Sequence, residues 1–118
     1  MFKILDITKN NLTAFQVEGI IKKADYDKLN ALLEKNERDF DTQKLYIVIG
    51  RIEKITAEAL WEDFKTYFTH VRNFEKVAIV GDSGMVKTLT SLSKPFVSGN
   101  IKFFNIHEAS EAKEWVME

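Results

Sequence analysis

Short apolar runs alternate along this chain with longer stretches in which apolar residues recur every three or four positions. Phe2 to Ile7 (FKILDI) and Leu12 to Gly19 (LTAFQVEG) predict two strands, the second alternating through Thr13, Phe15 and Val17. Lys9-Asn10-Asn11 suits a tight turn between them, because Asn tolerates positive φ, so the pair is expected as an antiparallel hairpin. Ala24 to Phe40 then places Tyr26, Leu29, Leu32, Leu33 and Asn36 at helical spacing with charges between them. Lys44 to Gly50 (KLYIVIG) is a continuous β-rich run, the mark of a strand covered on both faces. From Thr56 to Val71 the helical period returns, with Thr56 as N-cap, Glu58 in the first turn and a stripe of Leu60, Phe64, Phe68 and Val71. Lys76 to Gly81 predicts a buried strand, and Ser83 to Leu92 a short helix on Met85, Val86, Leu89 and Leu92. Ile101 to Ile106 predicts the last strand, and Glu108 to Met117 a helix buried through Ala112, Trp115 and Val116.

The expected order is β-β-α-β-α-β-α-β-α. Strands separated by helices need crossover connections, so the hairpin should lead into parallel strands with right-handed crossovers, an α/β mixed sheet. Linkers, repeats and low-complexity segments are lacking, and 118 residues suit a single domain spanning 1–118. Composition adds exclusions. With 45% apolar and 30% charged residues the chain is ordinary for a soluble globular protein. Its net charge of -1, with basic residues scattered among acids, lacks the footprint of nucleic-acid binding. The absence of Cys removes disulfides and thiolate metal sites, and no apolar run is long enough for membrane insertion. The N-terminus does not read as a signal peptide, so a cytoplasmic location is expected.

The stretch AIVGDSGMVKTLTSL (Ala78 to Leu92) carries the most conspicuous candidate chemistry. Gly81, Lys87 and Thr88 fit a phosphate loop, but Val86 stands where the second Gly is required, and its branched Cβ suits that backbone badly. Ser83 within Gly-Asp-Ser-Gly could be a nucleophile only with a His in reach, and the candidates are His70 and His107. A small hydrolase using Ser83, Asp82 and a His is therefore the enzymatic alternative. The structural account makes Gly81 a strand end, Asp82 or Ser83 a helix cap, and Lys87 a solvated cation beside free helix N–H groups.

Ala59 to Asp82 carries more specific information. Leu60-Trp61, Glu62-Asp63, His70-Val71-Arg72, Phe74-Glu75-Lys76 and Gly81-Asp82 together resemble the SpoIIAA-like family. That family is related to STAS domains, the sulfate-transporter and anti-sigma-factor-antagonist group. Gly19 with Ala24-Asp25-Tyr26, Lys94-Pro95-Phe96, Glu111-Ala112 and Trp115-Val116 fit the same pattern, so the resemblance spans nearly the whole chain. It implies a sheet of sequential strands with helices across it. It also implies either a switchable protein-binding antagonist or, as in related CRAL-TRIO domains, a carrier of an apolar lipid-type ligand.

The antagonists' regulatory Ser would fall near Ile55-Thr56-Ala57-Glu58, where Thr56 is the sole hydroxyl. A phosphate on Thr56 would meet Glu58, with Arg51 its only evident cationic partner, so Thr56 is a weak phosphorylation candidate and a plain cap. Trp61 and Tyr67 sit off the apolar stripe of their helix and are candidates for a cavity or partner surface, including a homodimer. The carboxylate pairs Glu62-Asp63 and Asp39-Asp41 have no His at ligand spacing, so neither a metal nor a cofactor is implied. The expected function is a non-catalytic binding module for a protein partner or a small apolar or amphipathic ligand. Its site is expected at the carboxyl edge of the parallel strands, with Arg51, Trp61, Tyr67, Asp82, Ser83 and Lys87 as candidate contacts.

Overall fold

The computed structural model describes residues 1–68, 74–93 and 100–118, the side chains of Tyr67, Phe68 and Ser93 excepted. One five-stranded sheet runs in chain order β1-β2-β3-β4-β5. Its strands are β1 Phe2–Ile4, β2 Leu12–Ile20, β3 Gln43–Glu53, β4 Phe74–Gly81 and β5 Ile101–Asn105. The helices are α1 Lys23–Asp39, α2 Ala57–Phe68, α3 Ser83–Ser93 and α4 Ala109–Met117. β1 pairs with β2 antiparallel, and every later neighbour pairs parallel, as crossover helices require.

The period-2 pattern of the strands sorts side chains to two faces, and each face builds its own core. On one face Phe15, Val17, Leu45, Ile47, Ile49 and Ile79 pack under Tyr26, Leu29 and Leu33 of α1, Leu60, Trp61 and Phe64 of α2, and Leu89 of α3. On the other, Leu12, Ala14, Tyr46, Ala78 and Val80 pack under Ala112 and Val116 of α4. Leu5 and Ile7, in the turn after β1, pack against that second cluster. Full burial of one such apolar side chain contributes roughly 1.5–3 kcal/mol, so the two cores carry most of the fold's stability.

Several boundaries differ by a residue or more from the sequence expectation, and three of them have a clear local reason. β1 stops at Ile4 and not Ile7, because Thr8 N–H turns back to the Leu5 carbonyl and Thr8 Oγ1 donates to the Ala14 carbonyl. Asn10 takes φ 55 in the turn that follows, the left-handed conformation expected of Asn there. β3 runs on to Glu53 because β2 continues beside it to Ile20. β5 ends at Asn105, where Asn105 Oδ1 accepts from His107 N–H and Glu108 Oε1 accepts from Asn105 N–H, opening a 3₁₀ turn over Ile106–Glu108. The packing of α3 rests on Met85, Leu89 and Leu92, while Val86 is only half-buried. Among the described residues, no helix is long and apolar enough to cross a membrane.

Candidate functional site

The carboxyl ends of β2 to β5 share one edge of the sheet, and the sequence-predicted polar residues divide sharply there into caps and free groups. After Gly81 ends β4, Asp82 Oδ1 accepts from Met85 N–H at 2.9 Å, which makes Asp82 the N-cap of α3. Ser83 Oγ accepts from Asn105 Nδ2 at 2.5 Å, so the start of α3 is tied to the end of β5. This bond occupies Ser83 with an amide donor, which cannot act as a base. His107 donates its backbone N–H to Asn105 Oδ1, its side chain is exposed, and among the described residues it makes no bond to Ser83. His70, the other imidazole a hydrolase would need, lies outside the described residues, as do Val71, Arg72 and Lys94-Pro95-Phe96. Lys87 stands exposed one turn into α3.

Thr56 is also a cap. Its Oγ1 accepts from Ala59 N–H at 3.1 Å at the start of α2. Trp61, a candidate for a cavity or partner surface, is 7% exposed and packs in the first core beside Leu60 and Phe64. Its indole Nε1 is buried without an acceptor among the described residues. Tyr67 lies in α2, and its side chain is outside the described set. Asp63, half of the carboxylate pair without a His at ligand spacing, accepts from Tyr26 Oη at 2.9 Å and so joins α2 to α1. Among the described residues, no His, Cys, Asp or Glu group is arranged to hold a metal ion.

Arg51 differs from all of these. The β2–β3 pairing shifts register between Val17↔Ile49 and Gly19↔Ile52, so Glu18 faces both Gly50 and Arg51. Such a bulge inverts the alternation of the strand beyond it. Ile49 and Ile52 therefore both pack on the first core, and Arg51 and Glu53 turn to the opposite face beside Glu18. Gly19 accommodates the distortion with φ +66, a left-handed conformation that a side chain would strain. Met1, Glu18, Gly19, Arg51 and Glu53 line an open cleft of about 560 Å³ at this edge. Arg51 is exposed and makes no ion pair among the described residues, although two carboxylates share its cleft. Sequence reasoning named Arg51 as a partner for a phosphate on Thr56 and as one of six candidate contacts at this edge, without singling it out. A bulge in a parallel ladder has no reliable sequence mark, though Gly50 before Arg51 and Gly19 on the facing strand are its components.

Comparison with known proteins bears on the whole architecture. A family model described as SpoIIAA-like matches residues 12–117. Among solved structures, the chain is similar to an uncharacterized protein with a SpoIIAA-like fold from Shewanella loihica PV-4. The two share 24% identity over 98% of this chain and 92% of that one, with a TM-score of 0.65. No curated protein matches the sequence.

Proposed function

The chain belongs to the SpoIIAA-like family, and from that premise we propose that it is a non-catalytic binding or regulatory module, a single cytoplasmic domain that recognises a protein through the carboxyl edge of its sheet. One observation carries this reading. At that edge Asp82, Ser83 and Thr56 are committed to capping and bracing, whereas Arg51 stands uncommitted in an open cleft. An exposed arginine with its planar fork of donors is a strong recognition group for carboxylates on another chain. The charged lining of the cleft suits a polar protein surface better than a small apolar ligand.

Pull-down with the purified chain tests this. A specific partner should be retained by wild-type protein and by the Lys87→Ala variant, and lost from Arg51→Glu. Co-purifying apolar molecules in native mass spectrometry would favour a lipid-type carrier instead. Turnover of esters, phosphates or nucleotides that disappears in Ser83→Ala would replace the binding reading with a hydrolase.

A further inference from the structure

The cleft is one part of a larger uncovered surface. α4 lies over β3, β4 and β5, and the second core ends with Leu12, Ala14, Tyr46, Val48, Ala78 and Val80. Towards the carboxyl ends of β2 and β3 that same face of the sheet continues without a helix above it among the described residues. Register defines what it presents. Lys3 pairs with Gln16, Glu18 faces the bulge that holds Arg51, and Ile20 pairs with Glu53. Lys3, Arg51, Glu53 and Ile20 are all exposed, Ile20 at 46%. The two side-chain cations Lys3 and Arg51 are interleaved with the two anions Glu18 and Glu53 over three adjacent strands, and the Met1 ammonium that lines the same cleft is balanced by Asp25 at 3.8 Å. Among the described residues none of the four side chains forms an ion pair, and the only hydrogen bond to any of them is from Gln16 Nε2 to Glu18 Oε2 at 3.2 Å.

We propose that this face is a homodimer interface, in which a second copy of the chain packs its own β1–β3 face against the first across a two-fold axis. The proposal rests on the binding reading above and names the partner for the same edge. Charge selects that partner. A strongly acidic or basic partner would gain at two of the four charges and be repelled at the other two. A surface with equal interleaved charges complements a second copy of itself about a two-fold axis that sets each cation opposite an anion. In such an isologous contact each pair occurs twice, so Arg51 facing Glu53 of the partner subunit gives two ion pairs per dimer. Ile20, beside Glu53, supplies apolar area that a second copy would remove from water, and two sheets packed face to face bury such residues between them.

Sedimentation velocity on the full chain over a concentration series tests the interface. Wild-type protein should show a concentration-dependent monomer–dimer equilibrium that weakens as salt is raised. Arg51→Glu and Glu53→Arg should each raise the dissociation constant by roughly ten-fold or more, because like charges then face each other twice. The double variant R51E/E53R should restore dimerisation, since the exchange rebuilds both pairs. Far-UV circular dichroism checks that each variant is folded, and the salt titration of wild type stands whatever the variants do. A wild-type chain that stays monomeric throughout, a dimer indifferent to Arg51→Glu, or a double variant that fails to recover would each overturn the interface. A monomer that still retains another protein through Arg51 would overturn the dimer and leave the binding module in place. Turnover dependent on Ser83 would remove the binding module without touching the dimer.

Discussion

At the scale of single residues, hydrogen-bond partners separate structural groups from available ones. Asp82 satisfies one of the four free N–H groups at the start of α3 through Met85. Asp82→Ala should therefore cost about 1 kcal/mol, read as a lowered urea midpoint with an unchanged m-value. Partner retention should be unaffected, because the carboxylate is engaged with its own helix. Tyr26 is 4% exposed, and its hydroxyl donates to Asp63 Oδ2 at 2.9 Å. Tyr26→Phe should lower stability by about 1–2 kcal/mol, since the bond is to a carboxylate and no volume is lost; the same titration measures it. The caps were readable from sequence, because Thr56 and Asp82 stand just before their apolar periodicities begin. The Tyr26–Asp63 bond was not, because it spans 37 positions and depends on how two helices lie side by side.

At the scale of elements, the ends of α4 show how charge and packing are combined. Lys76 Nζ donates to the Trp115 carbonyl at 2.8 Å, and Lys44 Nζ to the Glu118 carbonyl at 3.2 Å, so two strand lysines meet the negative end of the helix. The Trp115 ring also has Lys76 Nζ and Lys102 Nζ each 5.2 Å from its centroid. Lys76→Met keeps the apolar stem and removes the charge. It should destabilise by about 1 kcal/mol, more than Lys102→Met, which gives up the ring contact alone. Thermal melts of the two variants side by side check the order. The burial of Ala112 and Val116 was legible in the helical spacing, while Trp115 is only partly buried beside them. The lysines that hold their helix were not, because their strands read simply as buried. The bulge that turns Arg51 outward belongs here too. Strict alternation would place Arg51 with Ile47 and Ile49 in the first core, and one extra residue in β3 moves it to the open face.

At the scale of the whole molecule, burial makes stability depend on pH. Tyr46 is 1% exposed beneath α4, and burial raises its hydroxyl above the ordinary value of 10.0. The folded chain therefore holds this proton when the unfolded chain has lost it. The stabilisation is complete below about pH 10 and falls as pH rises through the raised value. Urea titrations across that alkaline range should show declining stability in wild type and a shallower decline in Tyr46→Phe. Global topology was the most legible property. Alternating apolar runs and helical periods required parallel strands after the hairpin, and the sheet follows that order. Family membership was equally legible, through motifs spread from Gly19 to Val116.

The sequence by itself determined which segments form strands and helices, which residues cap α2 and α3, and the class of sheet they build. These follow from local periodicity and from side chains that reach only a few positions along the chain. The tertiary structure alone decided which polar groups remain available. Ser83 is engaged because the end of β5 brings Asn105 against it, and Trp61 is buried because the sheet lies beneath its helix. Arg51 is free because the pairing of β2 with β3 slips by one residue beside it. Each outcome depends on a contact between distant parts of the chain, and no window of sequence contains both partners.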